Sequence, residues 1–273
     1  MKYEAVVLGS GSSGGVPRAD GNWGACNPDQ PLNRRSRCSL LVRTAGEGGP
    51  ERQTTVLVDT SPDLRTQTAA AGVKRLDAVL YTHDHADQAH GIDDIRAFVI
   101  GQGLRRIPAY MDGPTRETLT RRFEYIFEAQ DLYPALAEAR DLPPHGKAWA
   151  VDGPGGAVPV TSFDQDHGTV RSAGFRFGPL AYSADVVDLP EASFELLTGV
   201  DIWIVDALRW TPHPTHASVE RALEWIDRVR PRQAYLTNLH IDLDYDELRR
   251  RLPPGVEPAY DGLRIPFEMG QGA

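Results

Sequence analysis

Short apolar segments rich in Val, Ile and Leu alternate along the chain with segments whose apolar residues recur at helical spacing. Strands are predicted for YEAVVLG, CSLLVRT, TTVLVDT, DAVLYTH, DIWIVDAL and QAYLTNLH. Helices are predicted for 62–71, 93–98, 114–127, 217–229 and 244–251, and the stretch 215–218 supplies capping side chains for one of them. This alternation is typical of an α/β protein. No apolar segment approaches the roughly 18 residues that a membrane span needs.

Polar side chains follow directly after several predicted strands. Asp59 follows TTVLV, His83 follows AVLYT, Asp185 follows LAYSA, Asp206 follows IWIV and His240 follows AYLTNL. In α/β proteins, ligand sites collect at the carboxyl ends of the strands. Five such positions therefore indicate one functional site rather than five unrelated polar caps.

Length and charge limit the classes of partner. The 273 residues suffice for one large α/β domain, and we treat 1–273 as a single domain. A formal net charge of -9 disfavours long nucleic acid, whose phosphates require a basic surface, but allows a small phosphorylated substrate. Two cysteines, Cys26 and Cys38, allow one disulfide at most, and MKYEAVVLGSG is typical of a strand rather than a signal peptide. We expect a cytoplasmic protein without membrane association, and a homodimer remains open.

The segment 82–88, THDHADQ, carries the most specific chemical pattern. His83 and His85 lie two residues apart, and Asp87 follows two residues later, as suits a tight loop after a strand. Imidazole is a preferred ligand of Zn²⁺ and similar ions, and carboxylate suits a harder cation. A lone histidine is more often a core or surface residue, but three of the eight histidines fall within 83–90. The sequence therefore predicts a metal-binding loop.

This segment resembles the HxHxDH signature of the metallo-β-lactamase superfamily, and the resemblance continues along almost the whole chain in the family's order. Asp59 resembles the acidic residue that orients the metal loop. His167 in DHG, Asp185 in YSAD and His240 in NLH resemble the later motifs. The resemblance implies a four-layer αββα sandwich with the site in a groove between the sheets, and we expect the segment around 105–147 to form a helical insertion over it.

The same resemblance implies two divalent metal ions, either Zn²⁺ or Mn²⁺. One ion would be held by His83, His85 and His167, and the other by Asp87 and His240, with Asp185 between them. Two ions about 3.5–4 Å apart can lower the pKa of a bridging water and so supply hydroxide at neutral pH.

One position departs from the family pattern, because Gln88 stands where a second-site histidine is usual. An amide oxygen is a weaker ligand than imidazole, so the second site either binds more loosely or prefers a harder ion such as Mn²⁺. His90 is close in sequence and could partly compensate, although a surface or supporting role is favoured for it.

The glycine-rich segment 9–17, GSGSSGGVP, narrows the choice among branches of the superfamily. Such a turn can bring backbone N–H groups, with Ser12 and Ser13, close to an anion, although it also suits an ordinary flexible loop. It resembles the opening loop of tRNase Z-type endoribonucleases, of cyclic phosphodiesterases of phosphonate degradation, and of pyrroloquinoline quinone biosynthesis protein B.

Asp206 and His216 match an acidic residue and a histidine that pair in the phosphodiesterase branch. A carboxylate bonded to imidazole favours imidazolium, which can protonate a leaving alkoxide or hold a phosphate oxygen. The residues expected to act in catalysis are His216, Asp206 and Asp87. His213 is a candidate for substrate binding, with a structural role equally open.

Three arginines in the stretch 34–37 of an acidic protein suggest contacts to an anionic substrate, with Arg35 and Arg37 as the candidates. A solvated surface or internal ion pairs would explain them equally well. The function expected from the whole pattern is metal-dependent hydrolysis of a phosphodiester, in a small cyclic or nucleotide-like substrate, by a metal-bridging hydroxide. The alternatives are a cofactor-biosynthesis protein of the protein B type and a non-catalytic nucleotide-binding module.

Overall fold

Two seven-stranded sheets form the centre of the molecule in our computed structural model, which describes residues 1–46 and 48–269. The first sheet has the spatial order 14-1-2-3-4-5-6. Its strands are β1 (Lys2–Gly9), β2 (Ser39–Thr44), β3 (Thr55–Val58), β4 (Ala78–Leu80), β5 (Ile107–Met111), β6 (Ala137–Asp141) and β14 (Leu263–Glu268). The second sheet has the order 13-12-11-10-9-8-7. Its strands are β7 (Trp149–Val151), β8 (Val158–His167), β9 (Val170–Phe177), β10 (Leu180–Ser183), β11 (Ile202–Asp206), β12 (Gln233–Thr237) and β13 (Val256–Pro258).

Eight α-helices within the described residues accompany the sheets. They are α1 (Leu64–Ala70), α2 (Ala86–Ala89), α3 (Arg96–Gly101), α4 (Gly113–Arg122), α5 (Glu124–Phe127), α6 (Glu191–Leu197), α7 (Val219–Val229) and α8 (Tyr245–Arg251). Short 3₁₀ turns lie at Pro31–Asn33, Pro50–Arg52 and Ile92–Ile95. In this described part of the chain, no helix has the length and apolar character needed to cross a bilayer.

Alternate residues of the central strands face different layers, which explains why these strands are apolar along their whole length. In β1, Ala5 and Val7 pack into the core between the two sheets, whereas Val6 and Leu8 pack outward against the helices of the first sheet. The outer face of the second sheet packs in the same way against α6, α7 and α8. Strands buried on both faces are expected to be continuously apolar. The predicted four-layer αββα sandwich is therefore confirmed.

The site depends on the parallel part of each sheet. Strands β3 to β6 run parallel in the first sheet, and β10 to β13 run parallel in the second. Parallel strands end at the same edge of a sheet. The polar residues after β3, β4, β10, β11 and β12 consequently gather along two neighbouring edges.

The helices predicted from the sequence are present with shifted ends, and Ser218 caps α7 by accepting a hydrogen bond from the Arg221 N–H. The expectation of a helical insertion around 105–147 is corrected. That segment contains α4 and α5, but β5 and β6 within it extend the first sheet. The pattern missed β6 because its sequence, AEARD, belongs to an edge strand whose last residues are exposed.

Asp77 fixes the beginning of the β3–β4 pair, whose other ends lead into the site. Its side chain is fully buried, and one carboxylate oxygen accepts the Thr55 N–H at 2.9 Å. Arg75 donates to both carboxylate oxygens, at 2.6 and 3.2 Å. Because each of these donors faces Asp77, removing the carboxylate would leave a backbone N–H and a guanidinium poorly paired.

We expect Asp77→Ala to lower the free energy of unfolding by about 2–4 kcal/mol, since breaking a buried ion pair leaves an uncompensated charge and an unpaired donor. Urea denaturation followed by circular dichroism measures the change. Asp152→Ala, at an exposed position, is the matched control and should change stability by less than about 0.5 kcal/mol. Equal stability of the two variants would contradict the role given to Asp77.

Candidate metal centre and active site

Three imidazoles meet where the loop after β4 faces the end of β8. Potential ligand atoms of His83, His85 and His167 all lie within 4.8 Å of one another. The ring centroids are 4.4 Å apart for His83 and His85, 4.9 Å for His83 and His167, and 5.0 Å for His85 and His167. His167 Nε2 lies 3.2 Å from His85 Nδ1. The structure thus brings together the three histidines that the sequence assigns to one ion.

Neighbouring groups orient two of these rings. The Thr82 hydroxyl donates to Asp59 at 2.9 Å and can therefore accept from His83 Nδ1, also at 2.9 Å. His167 Nδ1 donates to the Thr215 carbonyl at 2.7 Å. In both rings the proton therefore lies on Nδ1, and Nε2 keeps the lone pair with which an imidazole binds a metal ion. His83 Nε2 is buried and has no hydrogen-bond partner among the described residues.

Burial keeps the imidazoles of His83 and His167 neutral. Desolvation, together with the proximity of the other histidines, holds the pKa of His83 well below its usual value. Burial and the charge of His216 lower the pKa of His167 to about 4. Neutral imidazoles at pH 7 are ready to coordinate a cation without first releasing a proton.

Three residues that lie just after β3, β10 and β12 share an unusual backbone conformation. Asp59, Asp185 and Asn238 have positive φ values of 62°, 55° and 62°. Left-handed backbone is uncommon in non-glycine residues, and it clusters at functional sites where the surrounding structure enforces it. Each of the three turns the chain sharply at the strand end, and all three side chains are buried.

Asp185 lies beside the histidine cluster, with one carboxylate oxygen 3.9 Å from His167 Nε2. The Gln88 amide donates to its other oxygen at 2.9 Å. Burial raises the pKa of Asp185 to about 8, reinforced by the charges of Asp87 and Asp206 and opposed by His216. Carboxylates crowded in this way need nearby positive charge to stay ionised.

Gln88 is fully buried and contributes to the site through its amide nitrogen, because that nitrogen faces Asp185 and lies 3.4 Å from Asp87. Its Oε1 is without a hydrogen-bond partner in the part of the chain that is described. An amide nitrogen has no lone pair to offer a metal ion, so Oε1 is the atom with which Gln88 could ligate.

His216 and Asp206 form the predicted pair. His216 Nδ1 lies 2.8 Å from Asp206 Oδ2, which also accepts the Val186 N–H at 3.0 Å. The His216 ring is 4.8 Å from the His167 ring, and its Nδ1 is 4.0 Å from Asp185. Burial opposes protonation of His216, but the charge and hydrogen bond of Asp206 outweigh it and raise the pKa of His216 to about 9. The pair therefore lies next to the histidine cluster.

Within the described residues, a second close group of possible ligand atoms is formed by His167, Asp185 and His216. Asp87 and His240, the expected ligands of the second ion, belong to neither group. Asp87 lines a cavity of about 610 Å³ beside the cluster. His240 Nε2 accepts a hydrogen bond from the Arg18 guanidinium, and its Nδ1 lies 2.9 Å from Asp242. The second set of ligands is thus less closely assembled than the first.

The residues predicted to bind substrate occupy different environments. Ser13 and Arg37 line the 610 Å³ cavity. Ser12 is buried, and its N–H donates to the Leu239 carbonyl at 3.3 Å. The His213 ring lies 5.2 Å from the His216 ring. Burial and the charge of His216 lower the pKa of His213.

Arg35 has a structural role, which corrects the expectation that it binds substrate. Its side chain is 2% exposed, and its guanidinium donates to the His240 carbonyl at 3.3 Å and to the Asn33 side chain at 3.2 Å. It also contacts the free thiol of Cys26 at 3.8 Å. A guanidinium enclosed in this way cannot reach a substrate, so Arg35 instead supports the segment that carries His240.

Three residues that contribute to the site did not emerge from the sequence. They are Thr82, Asn238 and Arg18. Asn238 contacts His216 Nδ1 at 3.1 Å and Asp185 at 3.5 Å. Thr82 and Asn238 could have been suspected, because each lies within two residues of a predicted ligand. Nothing in the sequence pattern relates Arg18 to His240, 222 positions away.

The donor set fits divalent cations. Buried neutral imidazole nitrogens and carboxylates crowded against one another are the ligands of Zn²⁺ and Mn²⁺. The unpartnered Nε2 of His83 and Oε1 of Gln88 are buried polar atoms that would be costly without a partner. The residues present therefore suit the metal ions that the sequence implies.

The chain is similar to several known proteins. The model of the beta-lactamase superfamily domain matches residues 54–241. A solved structure of a diphosphatase from the PhnP family is 35% identical over 98% of both chains, with a TM-score of 0.85. Zn²⁺-bound PqqB from Methylobacterium extorquens is 17% identical over 96% of this chain and 99% of that one, with a TM-score of 0.74.

A curated relative, an octanoyltransferase of Porphyromonas gingivalis, is 30% identical over 263 residues. The alignment includes 94% of this chain but 50% of that protein, so the chain spans about half of the relative's length. The superfamily model alone matches well over half of the chain, and its range includes His83, His85, His167, Asp185 and His240. The chain belongs to the beta-lactamase superfamily and has the metallo-β-lactamase fold.

Proposed function

We propose that this chain is a metal-dependent hydrolase that cleaves a phosphodiester in a small, nucleotide-like or cyclic substrate. The observation that carries this proposal is the cluster of His83, His85 and His167 next to Asp185 and to the His216–Asp206 pair. The cluster suits a divalent cation, and the adjacent pair suits proton transfer. Membership of the superfamily and the similarity to a diphosphatase support hydrolysis of a phosphoester.

His83, His85 and His167 would hold one metal ion, and Asp87, His240 and Gln88 would hold a second, with Asp185 shared. Bound divalent ions lower the pKa of water and neutralise charge on a phosphoryl group. The protein's own contribution is to fix the ligands before the ions arrive. Asp59, through Thr82, and the Thr215 carbonyl do so by orienting the rings of His83 and His167.

His216 is the proposed general acid. Asp206 binds its Nδ1 and leaves Nε2 as the atom that donates a proton. When a phosphodiester is cleaved, the leaving oxygen takes up a proton, and an imidazolium held at the site provides it without recruiting acid from solvent. Because the pKa of His216 is raised to about 9, the protonated form dominates at neutral pH.

The size of the neighbouring cavity supports a small substrate. Its 610 Å³ lies within the usual range for small-molecule sites, and it is lined by both cationic and anionic side chains. Ser13 and Arg37 contribute to its wall, beside the proposed metal ligand Asp87. A molecule of nucleotide size would fit with its phosphate towards the metal centre.

Two other functions have less support from the site. The similarity to PqqB, at 17% identity, concerns the fold, so a role in cofactor biosynthesis has no support of its own from the site. A non-catalytic nucleotide-binding module would have no need for a buried acid–imidazole pair beside metal ligands. The His216–Asp206 pair thus favours the hydrolase.

We expect His216→Ala to lower kcat/KM for bis(p-nitrophenyl) phosphate by about 10²–10⁴-fold in the presence of Mn²⁺ or Zn²⁺, the usual contribution of a general acid. Metal content should be unchanged. His145→Ala, which removes an exposed histidine bonded to Ser162, is the matched control and should retain activity. A metal-loaded wild-type protein that fails on every phosphodiester tested would refute the hydrolase and favour the alternatives.

We expect Asp206→Asn to move the alkaline limb of the pH–activity profile to lower pH. Asp206 raises the pKa of His216, so its neutralisation lets the imidazolium lose its proton at lower pH, and activity declines earlier as pH rises. The profile of kcat/KM between pH 6 and pH 10 is the measurement. An unshifted alkaline limb would show that His216 is not the group that titrates.

We expect Gln88→His to increase the affinity of the second metal site for Zn²⁺ by about tenfold or more, because imidazole is a better zinc ligand than an amide. Competition with a chromophoric chelator measures the affinity of each equivalent. Wild-type protein should bind two ions per chain, the second more weakly. A stoichiometry of one in both proteins would rule out the second site.

A further inference from the structure

Beside the metal centre, the 610 Å³ cavity has two arginines in its wall, Arg18 and Arg37. Arg37 is held in place by Asp63, which accepts from its Nε at 3.0 Å and from its backbone N–H at 2.9 Å. Arg18 is exposed and has no carboxylate within 4.0 Å among residues 1–46 and 48–269. One arginine is thus fixed and neutralised, and the other carries a charge that the described protein does not balance.

The guanidinium of Arg18 makes one side-chain hydrogen bond in the described structure, to Nε2 of His240. This nitrogen can accept from Arg18 only through its lone pair. His240 is also one of the proposed ligands of the second ion. His240 Nδ1 lies 2.9 Å from Asp242, so Nε2 is the nitrogen that would bind an ion. A single lone pair cannot serve an N–H donor and a metal ion at once, so the two interactions at Nε2 exclude each other.

Arg18 also lies against the glycine-rich turn. A Cβ added at Gly14 would meet Arg18 Cγ at 3.4 Å and Nε at 3.5 Å. The turn is closed by the Gly15 N–H donating to the Ser12 carbonyl at 2.8 Å. The backbone N–H groups of Ser13 and Gly14, between these residues, have no protein acceptor in the described part of the chain. Two free N–H groups therefore lie next to an unbalanced guanidinium at the wall of one cavity.

We propose that Arg18 is an anion-binding residue that metal binding releases. With His240 engaged by a cation, the Arg18 guanidinium would be released into the adjacent cavity, where it would bind a phosphate group of the substrate together with Arg37 and the Ser13–Gly14 turn. This inference rests on the proposed function, because it assumes that His240 is a metal ligand. It goes beyond that function by assigning a specificity residue and an order of binding, with metal before anion.

The chemistry of the cavity favours phosphate over a neutral ligand. Arginine offers a planar fork of donors that matches phosphate oxygens, and successive backbone N–H groups add an anion-binding concavity. Asp20 and Asp87 lie in the same cavity wall, and their negative charges would repel an anion. Asp20 accepts the Asn22 N–H at 3.0 Å, and Asp87 is assigned to the second ion, so a bound ion would offset the charge of Asp87.

Arg18→Ala separates the two halves of the proposal without relying on turnover. The first measurement is binding of Mn²⁺ to metal-free protein, with free ion followed by electron paramagnetic resonance. The second is binding of inorganic phosphate to Mn²⁺-loaded protein by calorimetry. Arg249→Ala, which removes an exposed arginine from α8, is the control for the change in net charge.

We expect Arg18→Ala to bind the second Mn²⁺ equivalent about tenfold more tightly, because the competitor for His240 is gone, and to bind phosphate about tenfold more weakly. The control variant should match wild type in both measurements. The proposal is overturned if Arg18→Ala leaves either affinity unchanged, or if the control changes as much. Neither measurement needs catalysis, so these results stay separate from a failure to hydrolyse phosphodiesters.

Discussion

The hydrogen bonds between Asp59 and Thr82 are the interaction on which the site depends. Asp59 follows β3 in a left-handed conformation and accepts hydrogen bonds from both the backbone N–H of Thr82, at 2.8 Å, and its hydroxyl, at 2.9 Å. Thr82 in turn contacts Nδ1 of His83. The left-handed turn at Asp59 therefore places its carboxylate so that it holds the first residues of the metal-binding loop in one orientation. A carboxylate buried this deeply is stable because both of its oxygens have donors.

Burial is the largest influence on the charge of the side chains in the site. Buried His83 and His167 stay neutral, and burial raises the pKa of both Asp59 and Asp185. The pKa of His216, by contrast, is raised by Asp206. A group of acids and neutral imidazoles of this kind is stabilised by cations from solution, which is why the donor set is typical of a metal centre rather than of a core.

Much of the fold and the first ligand set was accessible from the sequence, for a physical reason. Strands buried on both faces are continuously apolar, and polar residues directly after them mark the strand ends, as at Asp59, His83 and Asp185. The edge strand β6 has no such pattern, and it was missed. Arg35 is enclosed rather than free to bind substrate, and composition does not distinguish these two environments of a guanidinium. The sequence gives no sign of the contact between Arg18 and His240, because only folding brings these two residues together.

The two sheets contribute to the site in a way that affects the whole molecule. His83 and His85 follow a strand of the first sheet, whereas His167 and Asp185 belong to the second. An ion bound by all of them would join the two halves of the sandwich as a cross-link that can be removed by a chelator. Because such an ion binds the folded chain and not the unfolded one, part of the protein's resistance to heat would then depend on the metal supply of its surroundings.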